Sequence, residues 1–295
     1  MRSLHFDQSL PAVYGLAQRL SPRIERLLAH NPSPFTFRGT GVYLVGDDRR
    51  VAVIDPGPDD PVHIKSLLTA IGPRGVGHIL ITHTHRDHSP AAAALKQATG
   101  AKTYGYGPHA RNSGDVEEGG DRDFVPDVAV RDGDMIAGES YRFQCVFTPG
   151  HTSNHMCFAL EDEHALFTGD HVMGWSTSVI APPDGNMGDY MRSLEKLIAR
   201  KDRILYPTHG SPIVNPASFL RAYLSHRRMR ESQITRAIKH GKNTVPLLVE
   251  TLYAGLSPAL LRAAQLTVEA HLLHMIEDRR VRALPGGFYE LSVAR

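Results

Sequence analysis

The spacing of apolar residues predicts an alternation of short strands and helices over the first two thirds of the chain. Alternating or short continuous apolar runs predict strands, and apolar spacings of three and four predict helices. Residues 1–35 are predicted to be irregular apart from an amphipathic stretch at 16–28, and residues 108–126 to form a loop. The strands are predicted at 41–45, 51–54, 78–82, 128–130, 135–136, 141–147, 156–160, 165–168 and 203–206, and the helices at 61–71, 91–98 and 190–199.

The order of these elements predicts the fold class. Strands and helices alternate, then several strands, one helix and a last strand follow, which favours two packed sheets with helices outside. We therefore expect the α+β class and a four-layer αβ/βα sandwich over residues 1–216. Helices predicted at 219–240, 245–253 and 258–280, with a hairpin at 281–291, indicate a small winged-helix-like domain over residues 217–295. No low-complexity linker separates the two parts, so we expect them to pack together.

One short stretch carries a concentration of metal-binding side chains. His83, His85, Asp87 and His88 directly follow the apolar run 79–81. Because side chains alternate along an extended segment, His83 and His85 share one side, and the later pair can face a second point. Imidazole and carboxylate together favour zinc, with iron and manganese as alternatives. Chance clustering among 17 histidines is the competing interpretation, and it explains this spacing poorly.

Four other predicted strands end in a turn that carries one metal-competent residue each. These residues are Asp55, His151, Asp170 and His209. Any one of them alone is most simply a turn residue. Four such turns, together with the histidine cluster, predict a shared metal site.

Composition and charge narrow the class of protein. The chain is 41% apolar and 22% charged, typical of a globular protein, and its net charge of +2 argues for neither nucleic acid nor membrane. Residues 217–295 contain twelve Lys and Arg against six Asp and Glu, a weak indication of an anionic partner. We expect Cys145 and Cys157 to be buried free thiols. Without a signal-like or membrane-spanning apolar run, the expected location is cytoplasmic.

The order of the motifs resembles that of the metallo-β-lactamase-fold hydrolases. The motifs are His-x-His-x-Asp-His at 83–88, Pro-Gly-His-Thr at 149–152, Thr-Gly-Asp at 168–170 and Thr-His-Gly at 208–210. The resemblance implies the metallo-β-lactamase fold, and a catalytic role for the first domain. It also implies two divalent metal ions: one held by His83, His85 and His151, the second by Asp87, His88 and His209, with Asp170 bridging both.

Two further segments resemble the subgroup of β-lactamase-like protein 2. One runs from Asn31 to Gly46 and the other, at 226–234, opens the subgroup's associated winged helix. Gly41-Val42 departs from the Asn-Thr usual there, which puts a shared substrate contact in doubt. Neither cysteine is placed as in the antibiotic-hydrolysing branch, so β-lactam cleavage is not expected as the main activity.

This ligand set implies hydrolysis by a hydroxide that bridges the two ions. Asp170 would set their separation, and Asp87 would neutralise charge and orient the hydroxide. We expect a small ester, thioester or lactone as substrate. The alternatives are an endoribonuclease acting on single-stranded RNA and, less favoured, a non-catalytic winged-helix nucleic-acid-binding protein. The basic tail is expected to shape the pocket mouth or to form a homodimer interface, and not to read a nucleic-acid groove.

Several residues around the motifs have weaker assignments. Asp55 is a candidate hydrogen-bond partner of a metal-binding histidine, with a plain turn role as the alternative. His155 is expected to be structural, and Tyr190 to be either a substrate contact or a core residue. His171 and residues 175–178 are candidates for the pocket lining. The remaining histidines that we assign to structure are His109, His226, His240, His271 and His274.

Overall fold

Two β-sheets form the centre of the molecule. The computed structural model describes residues 4–110 and 119–292. The strands are β1 (Gln18–Arg19), β2 (Ile24–Leu28), β3 (Gly41–Gly46), β4 (Arg50–Ile54), β5 (Gly75–Leu80), β6 (Lys102–Gly105), β7 (Val128–Ala129), β8 (Met135–Ala137), β9 (Arg142–Phe147), β10 (Met156–Leu160), β11 (Ala165–Gly169), β12 (Ile204–Pro207), β13 (Ile213–Val214), β14 (Val281–Leu284) and β15 (Phe288–Leu291). The helices are α1 (Pro61–Ile71), α2 (Ala91–Thr99), α3 (Met187–Ala199), α4 (Ala217–Lys239), α5 (Val245–Leu252) and α6 (Leu261–Glu277).

The sheet topology brings several strand ends to one edge. The first sheet has the order β1-β2-β3-β4-β5-β6-β7, antiparallel as far as β4 and parallel from there. The second has the order β13-β12-β11-β10-β9-β8, antiparallel except for the parallel pair β11–β12. Consequently β9, β11 and β12 run in the same direction, and their carboxyl ends lie together.

The two faces of strand β3 show how the four layers pack against one another. Tyr43 and Val45 point into the core between the sheets, where they pack with Phe143 and Phe167 of the second sheet. The alternate residues of β3 point the other way and pack under α1 and α2. A matching cluster packs α3 and part of α4 on the outer face of the second sheet. The predicted αβ/βα sandwich is confirmed, and both cysteines are buried and free as expected.

The expectation of irregular structure at 1–35 is wrong for the segment that forms β1 and β2. Strand β2 pairs with β3 from Ile24–Val45 to Leu28–Gly41 and is buried almost throughout. The charged residue Arg26 makes this strand hard to predict from the sequence, because a charged side chain usually lies at the surface. In the structure its guanidinium is buried and donates hydrogen bonds to the carbonyl of Gly210 and to the side chain of Gln18. The sequence predicts neither β6 nor β13, because strands of four and two residues carry too little periodicity.

The C-terminal segment is the predicted three helices followed by a hairpin, and α4 joins it to the rest. Leu220 and Tyr223 of α4 belong to the cluster on the second sheet, while Ile234 and Ile238 belong to the core of the C-terminal segment. The expectation that the two parts pack together is confirmed. The boundary at 216/217 stays a prediction. No helix in the described ranges is both long and apolar enough to span a bilayer.

Because α4 contributes to both cores, we expect the two parts to unfold together. Leu272 is fully buried in the C-terminal core, and its neighbour Leu273 is 48% exposed. Leu272→Ala should lower the free energy of unfolding by about 2–5 kcal/mol, and Leu273→Ala by no more than about 0.5 kcal/mol. Urea unfolding followed by fluorescence of Trp175, the single tryptophan, reports on the catalytic part.

The expected result is a lower urea midpoint of the Trp175 signal for Leu272→Ala and an unchanged midpoint for Leu273→Ala. If Leu272→Ala instead loses helical circular dichroism early while the Trp175 transition stays in place, the two parts unfold independently and the expectation is wrong.

Candidate metal centre

The seven residues predicted as metal ligands converge on one edge of the sandwich. Each follows a strand: the cluster at 83–88 follows β5, His151 follows β9, Asp170 follows β11 and His209 follows β12. Six of the seven are buried and His151 is nearly so. Three overlapping groups can each hold an ion with ligand atoms within 4.8 Å of one another: His83, His85 and His151; His83, His88 and Asp170; Asp87, His88 and His209.

The first group consists of three imidazoles. The Nδ1 atom of His85 lies 2.9 Å from Nε2 of His83 and 3.2 Å from Nε2 of His151. The Nδ1–H of His151 donates to the carbonyl of Val179 at 2.7 Å, which leaves its Nε2 lone pair facing the group. Burial lowers the pKa of His83 and His151, and that of His85 to about 3, so the rings are neutral, the form that binds a metal.

The group of Asp87, His88 and His209, called the second group from here on, combines one carboxylate with two imidazoles. Oδ2 of Asp87 lies 3.1 Å from Nε2 of His209 and 3.2 Å from Nε2 of His88. Burial by itself would lower the pKa of these two histidines, yet the carboxylates of Asp87 and Asp170 raise it well above its ordinary value. Burial would likewise raise the pKa of Asp170, but His209 and His88 hold it far below. This point in the structure therefore attracts positive charge.

The carboxylate of Asp170 lies between the two groups. Its Oδ1 is 3.4 Å from Nε2 of His209 and 3.6 Å from Nε2 of His88, while its Oδ2 is 3.8 Å from Nε2 of His151. The two oxygens thus face opposite groups. This is the arrangement expected of a bridging ligand.

Unpartnered buried atoms show that the site fits metal ions. Within residues 4–110 and 119–292, four atoms here lack a hydrogen-bond partner: Oδ1 of Asp87, Nε2 of His88, Oδ1 of Asp170 and Nε2 of His209. Leaving polar atoms buried without partners is costly, and so many at one point call for another group that satisfies them. Nitrogen and carboxylate donors in this number suit a divalent cation.

Asp55 orients His88. Its Oδ2 accepts from Nδ1–H of His88 at 2.9 Å and from the hydroxyl of Thr82 at 2.7 Å, and its Oδ1 accepts from the Thr82 amide. This contact fixes the His88 tautomer with Nε2 toward the site. Asp55 adopts a φ of 48°, in the left-handed region. The predicted contact of Asp55 with a histidine of the cluster is confirmed.

Sequence reasoning did not single out the residues that support Asp87 and His209. The hydroxyl of Thr40 donates to Oδ2 of Asp87 at 3.0 Å and accepts from the Asn31 amide at 3.0 Å. The Nδ1–H of His209 donates to the carbonyl of Gly39 at 3.1 Å. The one signal was the resemblance of the segment from Asn31 onward to the β-lactamase-like protein 2 subgroup.

The residues with weaker assignments are mostly structural. His155 bonds Thr148 at 2.9 Å and stacks on His83, but it does not join any ligand group. Tyr190 is fully buried and its hydroxyl donates to the carbonyl of His171, so the core interpretation is confirmed. Trp175 stacks on Phe37, with ring centroids 5.0 Å apart.

A cavity of about 470 Å³ opens beside the second group. Its lining includes Asp87, Arg86 and residues of the 31–36 segment. Ala259 lines it as well, from the short 3₁₀ turn before α6. The C-terminal segment therefore contributes to the wall of a cavity that reaches a predicted metal ligand.

Comparison with known proteins identifies the family of this chain. A family model described as the metallo-beta-lactamase superfamily matches residues 36–209, and one described as the beta-lactamase associated winged helix domain matches residues 244–287. The chain is 32% identical to lactamase-like protein vrtG of Penicillium aethiopicum, over 95% of this chain and 89% of that protein. It is 29% identical to the atrochrysone carboxyl ACP thioesterase of Claviceps purpurea, over 75% of this chain and 67% of that protein.

Solved structures share the fold. A metallo-beta-lactamase family protein from Thermus thermophilus has a TM-score of 0.77 at 21% identity, covering 92% of this chain and 100% of that one. A beta-lactamase domain protein from Burkholderia ambifaria has a TM-score of 0.79 at 19% identity, covering 97% and 95%. Since the first family model spans more than half of the chain and the winged helix model matches its tail, this protein belongs to the metallo-beta-lactamase superfamily and is a hydrolase of that family.

Proposed function

We propose that this protein is a dinuclear metal hydrolase that cleaves thioesters, within the wider class of small esters, thioesters and lactones. The observation that carries the proposal is the Asp170 carboxylate, with Oδ1 facing His209 at 3.4 Å and Oδ2 facing His151 at 3.8 Å. The choice of thioesters is supported by the similarity to the Claviceps purpurea thioesterase.

The proposed ligands divide between two ions. Asp170 would contact both, and zinc is favoured by the imidazole-rich set, with iron and manganese as alternatives. The ligands of the first ion would be His83, His85 and His151, and those of the second Asp87, His88 and His209.

Two divalent ions, when bound, supply a hydroxide nucleophile at neutral pH and stabilise negative charge developing on a carbonyl oxygen. Two carboxylates of the chain supply negative charge to the site. The lowered pKa of Asp170 keeps its carboxylate anionic, and a hydrogen bond from Thr40 holds the carboxylate of Asp87 in position. A thiolate nucleophile from the protein is disfavoured, because burial raises the pKa of both Cys145 and Cys157 to about 12.

The position of the C-terminal segment supports a small substrate. Ala259 lines the cavity beside Asp87, as expected of a tail that shapes the pocket mouth. Several arginines of the segment are engaged within the protein: Arg227 is buried, Arg228 pairs with Glu195 and Arg230 lies over Tyr253. The comparisons support neither an RNA substrate nor a homodimer.

The direct test compares thioester, lactone and single-stranded RNA panels on metal-quantified protein. Acyl thioesters should be hydrolysed best, measured by thiol release. Asp170→Asn removes the bridging charge with little change in shape, so it should retain fewer metal ions and lower kcat/KM by about 100-fold or more.

The matched control is Asp162→Asn, whose side chain is 57% exposed and should behave as the wild type. RNA cleavage with no thioester turnover would overturn the substrate assignment. Unchanged metal content and turnover in Asp170→Asn would overturn the two-metal assignment.

A second expectation concerns Asp55. Asp55→Asn keeps the size of the side chain but weakens the acceptor of the His88 Nδ1–H, so affinity for the second metal ion should fall about 10–100-fold. Competition against a fluorescent zinc chelator measures the affinity. Asp59→Asn, an exposed change in the same loop, should leave it unaltered. Equal affinities for the two variants would show that Asp55 does not support the metal centre.

A further inference from the structure

Two consecutive residues of the segment that follows Asp170, Ser178 and Val179, contact two of the proposed ligands. The hydroxyl of Ser178 donates to the carbonyl of Asp170 at 2.5 Å and lies 3.1 Å from that of His171. The next carbonyl, that of Val179, accepts the Nδ1–H of His151 at 2.7 Å. The position of residues 178 and 179 therefore affects a ligand of the first group and the bridge at the same time.

Helix α4 of the C-terminal segment binds the backbone of Ser178. The hydroxyl of Tyr223 accepts from the Ser178 amide at 2.8 Å and donates to the carbonyl of Ser176 at 3.0 Å. The guanidinium of Arg227 donates to the carbonyl of Ser178 at 2.5 Å. Amide and carbonyl of Ser178 are thus both bound by α4, one turn apart.

The burial of Arg227 indicates a specific role. It is 2% exposed, and its guanidinium lies over the rings of Tyr190 and Tyr223, at 5.0 and 5.9 Å from their centroids. Among the described residues it has no ion pair within 4.0 Å; its guanidinium contacts the Ser178 carbonyl and the two rings. A buried charge without a carboxylate is costly, and an apolar side chain would fill the same space more cheaply. What an arginine provides here and an apolar side chain would not is the hydrogen bond to the Ser178 carbonyl.

We propose that Tyr223 and Arg227 are positioning residues for the metal centre. They hold residues 178 and 179 so that the Val179 carbonyl keeps His151 in the metal-binding tautomer and Ser178 anchors the backbone of Asp170. The C-terminal segment then contributes to metal affinity without supplying a ligand. This inference rests on the ligand roles proposed above for His151 and Asp170.

The test uses the full chain loaded with cobalt, whose visible absorption reports ligand geometry. Arg227→Met removes the donor and charge but keeps an extended side chain, and Tyr223→Phe removes one oxygen atom. Each should weaken binding of one Co²⁺ equivalent about 10–100-fold and change the visible spectrum, while circular dichroism stays that of the wild type. Arg228→Met, the same change one residue on at a side chain 63% exposed, is the matched control.

A His151→Ala variant tests the proposed ligand roles separately from the positioning role of Tyr223 and Arg227. If the wild type binds two equivalents and His151→Ala binds one, the ligand roles hold. Wild-type affinity and spectrum in Arg227→Met and Tyr223→Phe would then overturn the positioning role alone. If Arg227→Met does not fold, Tyr223→Phe decides by the same readout. A His151→Ala variant that still binds two equivalents would overturn the ligand assignment and the inference with it.

Discussion

The face-to-face packing of the two sheets is the constraint on which the site depends, because neither sheet carries a complete group of donor atoms. His83 and His85 come from the first sheet and meet His151 from the second. The aromatic layer between the sheets sets their separation, and the hydroxyl of Tyr43 bonds the carbonyl of Pro207 at 2.6 Å, two residues before His209. Since packed cores resist small displacements, the same layer fixes the donor distances.

The site concentrates buried polar atoms that would destabilise an ordinary core. Four of the seven proposed ligands are oriented by a hydrogen bond with a neighbouring residue: His88 by Asp55, His209 by Gly39, His151 by Val179 and Asp87 by Thr40. These hydrogen bonds come from different segments of the chain. They offset the unfavourable free energy of burying so many polar groups close together. The C-terminal segment is one such support in our proposal, through Arg227.

Much of the fold could be predicted because its elements carry clean local patterns. Helix α1 begins and ends at the predicted residues, with Asp60 accepting from the His63 amide and Pro61 in the first turn. Strand β2 could not be predicted, because Arg26 reads as a surface residue until Gly210, 184 positions away, provides its acceptor. Ser89, two residues before α2, is of a type that often caps helices, yet its hydroxyl donates to Asp121 and α2 has no side-chain cap.

The sequence by itself determined the donor chemistry and its placement at strand ends, since residue type and apolar periodicity are local properties. Only the tertiary structure decided which donors share a group, because His85 and His151 are 66 positions apart and meet through sheet packing. It also decided which nitrogen of each imidazole faces the centre, as with His151, whose acceptor is a backbone carbonyl. Every residue has such a carbonyl, so a contact of this kind leaves no mark in the sequence.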